Sequence, residues 1–225
     1  MRQIVLDTET TGLEWAKGER VVEIGCVEMV NRTLTGNDFH EYLNPEQLMS
    51  ADAERVHGLS SEFLADKPKF AEVAERFVDY VRGAELVIHN APFDVGFLNA
   101  ELARCSMAPL DAICTVVDTL KMARQMFPGK RASLDALCER YEVNNAHRTL
   151  HGALLDARIL ADVYLAMTRG QDSLDMDFGA PDVALPAGGE VLTAAPCAVR
   201  VLRASEEELA AHRAYLEQMG CAAGW

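Results

Sequence analysis

The sequence predicts an α/β domain whose mixed sheet carries helices on its faces. Three observations lead there. Strand-like patterns fill the first 43 residues, the apolar spacing then changes from a period of two to a helical period near residue 70, and further on short strands feed directly into helices. A chain of 225 residues with 49% hydrophobic and 25% charged residues can bury one substantial core and still have length left for an appendage.

Taken in order, residues 3–7, 20–30 and 34–43 read as strands, with Asn31-Arg32 marking a turn between the last two, as in an antiparallel meander. Residues 70–82 read as an amphipathic helix, because Phe70, Val73, Ala74, Phe77, Val78 and Val81 fall on one stripe and Gly83 ends it. A short apolar strand at 85–89 runs into Asn90-Ala91-Pro92 and a helix at 93–104, with proline in the first turn as in a βαβ half-unit. Residues 112–118 form another expected strand. Helices are expected at 119–126, 133–141 and 150–168.

After Thr168 the texture changes. Residues 169–196 are rich in Gly, Asp, Ala and Pro without sustained periodicity, which reads as a linker. Beyond it, residues 198–202 suit a short strand, and Ser205-Glu206-Glu207-Glu208 opens like a capped helix continuing through Leu209, His212, Tyr215, Leu216 and Met219. The expected division is a domain over 1–170, a flexible linker over 171–197 and a C-terminal segment over 198–225 that folds on a partner.

Composition narrows the function. No apolar run approaches the roughly 20 residues that span a bilayer, and the N-terminus starts at once with a strand pattern and no signal peptide, so a soluble cytoplasmic protein with no membrane partner is expected. The six cysteines, Cys26, Cys105, Cys114, Cys138, Cys197 and Cys221, include no Cys-x-x-Cys pair and read as reduced packing residues. A net charge of −14 argues against a free-standing high-affinity DNA binder. Were the substrate nucleic acid, metal ions or a basic partner would supply the positive charge.

Asp7 and Glu9, in Ile4-Val5-Leu6-Asp7-Thr8-Glu9-Thr10-Thr11-Gly12, point two carboxylates to one side if the strand continues. Such a pair repels, and a hard divalent cation between them relieves it. Taken alone, the same run also suits a strand end entering a turn. Asp94, in His89-Asn90-Ala91-Pro92-Phe93-Asp94, sits where a helix begins after a buried strand, a favourable place for negative charge with or without a site. His151 and Asp156, in His151-Gly152-Ala153-Leu154-Leu155-Asp156, are five positions apart, about 140° around a helix, so His151 must lie at or before the first turn if the two are to meet.

Together these residues resemble the three motifs of the DEDDh 3′-to-5′ exonucleases: Asp7-x-Glu9 after a strand, Asp94 in His-Asn-x-x-Phe-Asp, and His151-x-x-x-x-Asp156. The resemblance runs from Arg2 to Ala166 and includes Val56-His57-Gly58. It implies an RNase H-like fold and phosphodiester hydrolysis with two divalent ions, Mg²⁺ or Mn²⁺ by their preference for oxygen ligands. It further implies Asp7 bridging both ions, Glu9 and Asp156 on the side of the attacking water, Asp94 on the second ion, and His151 as general base. Thr10, Gly12, His57 and Phe93 resemble positions that cradle the terminal nucleotide. Phe93 also suits a plain core role, and His147 reads as a surface residue.

The resemblance extends to the proofreading members of the family, whose catalytic domain is followed by a linker and a polymerase-binding segment. It implies as partners the 3′ primer terminus of DNA, a DNA polymerase III alpha subunit through 198–225, and a small accessory subunit. Ser173-Leu174-Asp175-Met176-Asp177-Phe178 is similar to peptides that dock on a sliding clamp, with Ser173 where glutamine is usual. Two alternatives are a free-standing exoribonuclease of the RNase T or oligoribonuclease type, which leaves the C-terminal segment without a role, and a non-catalytic scaffold, which leaves five catalytic positions without one.

Overall fold

Strand β1 (Arg2–Thr10) is fully buried at Ile4, Val5 and Leu6, so its two faces must both be covered. The computed structural model describes residues 1–146, 148, 150–169, 205–208, 210 and 212. The chain divides into two units, Met1–Asp175 and Met176–Trp225, and the fold that follows is that of the first. His147, the linker with Ser173 to Phe178, and most of the C-terminal segment lie outside the described residues.

β1 pairs antiparallel with β2 (Val21–Val30), which also carries two short antiparallel neighbours, β3 (Thr33–Leu34) and β4 (Phe39–Tyr42). Helices α1 (Ala51–His57), α2 (Ser61–Leu64) and α3 (Phe70–Val81) follow. β5 (Glu85–Ile88) then pairs parallel with β1, and α4 (Ala91–Arg104) crosses over to β6 (Thr115–Asp118), parallel to β5. α5 (Thr119–Met126), α6 (Leu134–Tyr141) and α7 (Ala153–Met167) complete the domain. The six-stranded sheet has the order β3-β2-β1-β5-β6, with β4 also on β2. The expected mixed sheet between helical layers is what forms.

Strand alternation divides the core in two. Ile4, Leu6, Ile24, Cys26, Leu86 and Ile88 meet Phe70, Phe77, Phe97 and Leu98 of α3 and α4. Val5, Val27, Met29 and Val87 face the other way, onto Ala123, Leu137, Ala157 and Leu160 of α5, α6 and α7. Cys26, Cys114 and Cys138 are buried free thiols that pack as small apolar groups, and burial raises the pKa of each.

Several elements depart from their expected bounds for local reasons. β1 does not stop at Asp7: Asp7, Thr8 and Glu9 pair with Gly25, Ile24 and Glu23, and a bulge follows between Glu9 and Thr10. The turn reading of Asp-x-Glu is thereby excluded. The strand expected over 34–43 breaks in two, because Gly36 adopts φ +78° and Thr35 Oγ1 and Asn37 Nδ2 both donate to Glu28 Oε2, at 2.7 and 3.2 Å. α1 and α2 carry little apolar periodicity, burying only His57 and Leu64, yet each has a serine N-cap: Ser50 Oγ accepts from Ala53 N and Ser60 Oγ from Phe63 N, both at 3.1 Å. α7 begins at Ala153 after an extended Gly152, which leaves His151 ahead of the helix, as the spacing to Asp156 required. In the second unit, Ser205 N donates to Glu208 Oε2 at 2.8 Å and Glu208 N to Ser205 Oγ at 3.2 Å, the capping box expected there.

One ion pair fixes α4 against the sheet. Glu101 is almost wholly buried, accepts Arg20 Nε and Nη2 at 2.6 and 2.9 Å, and takes the Val21 amide at 3.3 Å. Removing the carboxylate strands a guanidinium whose side chain is only 12% exposed. We therefore expect Glu101→Ala to destabilise the domain by about 3 kcal/mol in urea unfolding. Replacing Arg20 and Glu101 together with apolar residues should cost clearly less.

Candidate active site

The site forms where β1 ends between the two helical layers. Asp7 and Glu9 continue the face of Val5, toward α7, whereas Thr8 continues the face of Leu6, toward α4. Asp156 lies in the first turn of α7 and Asp94 in the first turn of α4, and both are buried. Thr8 Oγ1 donates to Asp94 Oδ1 at 2.7 Å, so a residue on the far face of the strand holds the carboxylate that arrives from α4.

Gly25 decides how closely α7 can approach. It pairs with Asp7 across the strands, and a Cβ placed on it would lie 2.2 Å from the backbone of Ala153 and Leu154. The start of α7 therefore rests directly on the β2 backbone, and this contact brings Asp156 to Asp7. A glycine inside a strand pattern is the sequence signal for such an approach.

The electrostatics are those of carboxylates held together against their repulsion. Burial, then Asp94, Glu9 and Asp156, raise the pKa of Asp7 well above its ordinary value. Glu9 is pushed up to about 8 by burial and then by Glu23, its cross-strand neighbour, with Asp156 and Asp94 adding to it. Asp94 rises to about 7 through burial, against the opposing bond from Thr8.

His151 completes the group. Its backbone amide donates to the Val56 carbonyl at 3.2 Å, which ties the residue to the last turn of α1. A ring nitrogen of His151 and one oxygen each of Glu9 and Asp156 all lie within 4.8 Å of one another. Oxygen donors that repel one another this strongly, with one imidazole at their edge and no thiol among them, suit a hard divalent cation.

Arg148 is the residue that motif reading passed over. Its Nε and Nη2 grip the two oxygens of Asp156 at 2.6 and 2.7 Å, Nη2 also lies 2.8 Å from His151 Nδ1, and Nη1 reaches Asp135 at 2.7 Å. While a guanidinium donates to Nδ1, that nitrogen is an acceptor and the ring proton sits on Nε2. When Nδ1 instead donates to Asp156 Oδ2, 3.1 Å away, Nε2 is left free to accept a proton. An arginine three positions before the motif histidine was the available signal.

The four expected nucleotide contacts do not join the carboxylates but gather beside them. Thr10, Gly12, His57 and Phe93 line a cavity of about 240 Å³ together with Glu9, and Leu13, which the sequence did not single out, and Val56 supply further apolar wall. Thr10 Oγ1 donates to the Gly12 carbonyl at 2.6 Å, and a Cβ on Gly12 would fall 2.0 Å from the Glu19 carboxylate, so both residues shape the wall. His57 is 5% exposed, and its Nδ1 accepts the Leu59 amide at 3.0 Å, which places the proton on Nε2. That Nε2 completes no hydrogen bond. Burial lowers the pKa of His57, partly opposed by the nearby Thr10 backbone. Phe93 stacks on Phe97 with centroids 4.9 Å apart and also lines the cavity, so it serves core and cavity together.

Residues 4–164 match the family model RNase T, described as an exonuclease. The chain is 55% identical over 223 residues to the DNA polymerase III subunit epsilon of Pasteurella multocida, covering 96% of this chain and 88% of that protein. To the subunit of the same name in Escherichia coli K12 it is 54% identical over 226 residues, covering 96% and 92%. Among solved structures, an exonuclease X in complex with 5′-overhanging duplex DNA is 26% identical with a TM-score of 0.60, covering 75% of this chain and 92% of that one. E. coli exonuclease I in complex with a dT13 oligonucleotide is 17% identical with a TM-score of 0.65, over 74% and 41%, a likeness of fold.

Two outcomes follow from the geometry. Gly25→Ala must push the start of α7 off β2, so hydrolysis should fall about 100-fold while urea unfolding reports a loss of only about 1–3 kcal/mol. The second concerns pH. Glu9 and Asp94 titrate higher in the folded state, so the metal-free fold binds protons that the unfolded chain has released, and their stabilising share is full below about pH 4 and lost as pH rises through 7 and 8. Thermal unfolding in chelator should show melting temperature declining from about pH 5 to pH 9. Glu9→Gln should flatten that decline, and excess Mg²⁺ should raise the melting temperature more at high pH than at low.

Proposed function

The chain belongs to the exonuclease family and, within it, to the DNA polymerase III epsilon subunits, and from that premise we propose that it is the 3′-to-5′ proofreading exonuclease of a replicative DNA polymerase III. The observation that carries this reading is the convergence of Asp7, Glu9, Asp94 and Asp156, from β1, α4 and α7, with His151 at their edge. Two divalent ions, Mg²⁺ or Mn²⁺, held by those four carboxylates would activate the attacking water and neutralise charge developing on the phosphoryl oxygens.

The chain's own residues account for the remainder. Water attacks phosphorus, the bond to the 3′ oxygen of the penultimate nucleotide breaks, and a 5′-mononucleotide leaves. His151 Nε2 takes the proton from the water once Nδ1 donates to Asp156, an arrangement that requires Arg148 to release Nδ1. The cavity beside Glu9 receives the terminal nucleoside, with Phe93, Leu13 and Val56 against the base or sugar and the unpaired His57 Nε2–H directed to an oxygen of the nucleotide. Apolar walls without a set of base-reading donors suit an enzyme that removes whichever nucleotide was misinserted.

The same reading assigns the remainder of the chain: an exonuclease domain over 1–170, a linker over 171–197 with the clamp-like run from Ser173 to Phe178, and a segment over 198–225 that binds the polymerase alpha subunit. The Ser205–Glu208 capping box supports a helix start within that segment. Tethering places the nuclease at high effective concentration near the primer, in the cytoplasmic replisome, and leaves room for a small accessory subunit on the domain. Among the described residues no helix is long and apolar enough to cross a membrane.

In Mg²⁺ the protein should release nucleotides from a 3′-mispaired DNA primer faster than from matched RNA, and Asp7→Ala should lower the rate by more than about 1,000-fold. Preferential digestion of RNA would overturn the proofreading assignment. Truncation after Gln171 should keep the nuclease activity and lose co-purification with the polymerase; co-purification that persists puts the partner surface on the domain instead.

A further inference from the structure

A second cavity adjoins the carboxylate cluster and shares no lining residue with the nucleoside cavity. It is an open groove of about 630 Å³ that shares Arg148 and His151 with the cluster and is lined further along by Arg124, Lys130 and Arg131. On a chain of net charge −14 this is an unusual concentration of cations. Arg148 is committed to Asp156 and to Asp135, the acidic residue of the groove. Arg124, Lys130 and Arg131 are exposed and make no salt bridge to any described residue; Arg32, Arg104 and Lys121 are also exposed without one but do not line the groove, and Arg2, Arg20, Arg55, Arg76, Arg82 and Arg158 are each tied to a carboxylate.

The groove cations also sit on defined backbone. Arg124 belongs to the last turn of α5, and Lys130 and Arg131 follow a tight turn in which Gly129 has φ +75° and the Lys130 amide bonds the Phe127 carbonyl at 3.1 Å. Arg140 stacks over the Phe127 ring at 4.2 Å and donates to the Arg131 carbonyl, which braces the turn from below. Ser133 caps α6 at the same wall, so the N-terminal end of that helix adds its dipole to the charge.

We propose that this groove binds the phosphodiester backbone of the strand on the 5′ side of the scissile phosphate. The proposal rests on the exonuclease reading of the carboxylate cluster. A strand whose terminal nucleoside fills the cavity beside Glu9, and whose scissile phosphate lies at the carboxylates, has to leave the site on another side. The groove begins there, at His151 and Arg148, and its unpaired cations are suited to successive phosphates and indifferent to base identity. The acidic protein thus confines its attraction for nucleic acid to a few nucleotides behind the cut.

The test uses the full chain carrying Asp7→Asn, so that the strand is not cut, with and without Arg124→Gln, Lys130→Gln and Arg131→Gln. Fluorescence anisotropy with labelled oligothymidylates of two and eight nucleotides gives affinity and its salt dependence. The triple variant should bind the octanucleotide about 10-fold or more weakly, and the slope of log affinity against log salt should shrink by about 2, some 0.7 for each lost phosphate contact. The dinucleotide should change little, and the conservative variant Arg124→Lys with Arg131→Lys, Lys130 kept, should retain most of the slope. An unchanged octanucleotide slope, or an equal loss for both lengths, overturns the groove as a backbone track. Hydrolysis by the protein with Asp7 intact is measured alongside: its failure would sink the exonuclease reading, while the length-dependent binding decides the groove independently.

Discussion

The mutual repulsion of four carboxylates held close together, three of them buried and Asp7 half-buried, is the constraint around which this domain is arranged. Burial, and for Asp7 and Glu9 the neighbouring carboxylates as well, raise the cost of ionising Asp7, Glu9 and Asp94, and in a chain free to relax the groups would separate. They are held by structure that has no other outlet. β1 is pinned between β2 and β5 with both faces buried, α4 is locked to the sheet through Glu101 and Arg20, and α7 rests on bare backbone at Gly25. Core packing supplies the energy that the cluster costs, which a bound cation would offset.

Arg148 shows how the same field is managed from within the chain. A guanidinium cannot be deprotonated, so its two bonds to Asp156 neutralise one carboxylate at any working pH. Its third contact, to His151 Nδ1, selects the ring tautomer that cannot act as base at Nε2. The charge state of the candidate site and the tautomer of its histidine are thereby linked through one side chain. A divalent cation held by the carboxylates would compete with Arg148 for Asp156, and a loosened grip would leave the imidazole to donate to Asp156 in its place.

The fold class could be read from the sequence because its strongest signals are periodic: the stripe on α3, the apolar strand before Asn90, and the meander at the start all follow from side chains seeking a core. The site could be read in part for a different reason. Taken singly, Asp7-x-Glu9 suits a turn and Asp94 a helix start; it is the resemblance of all three motifs together to the DEDDh exonucleases that singles out Asp7, Glu9, Asp94, His151 and Asp156. Three things were hidden. α1 and α2 bury too little to show periodicity, and only their serine caps mark them. Gly25 matters through the backbone of a helix 128 positions later, a contact that spacing within one element does not encode. Arg148 gains its meaning only when Asp156, His151 and Asp135 are assembled around it.

The charge of the chain gains a more specific meaning from this geometry. Read as a sum, −14 opposes binding to nucleic acid. Its distribution, though, gathers acidic oxygens in the candidate site and leaves cations without a salt bridge in the groove that adjoins it. Negative charge elsewhere on the surface then disfavours long, nonspecific contact with duplex, and the small basic groove engages only a strand end that has already been freed from its template. For a nuclease tethered beside a polymerase, such weak and local attraction is what separates removal of a frayed terminus from attack on a correctly paired one, because pairing competes with the groove for the same few nucleotides.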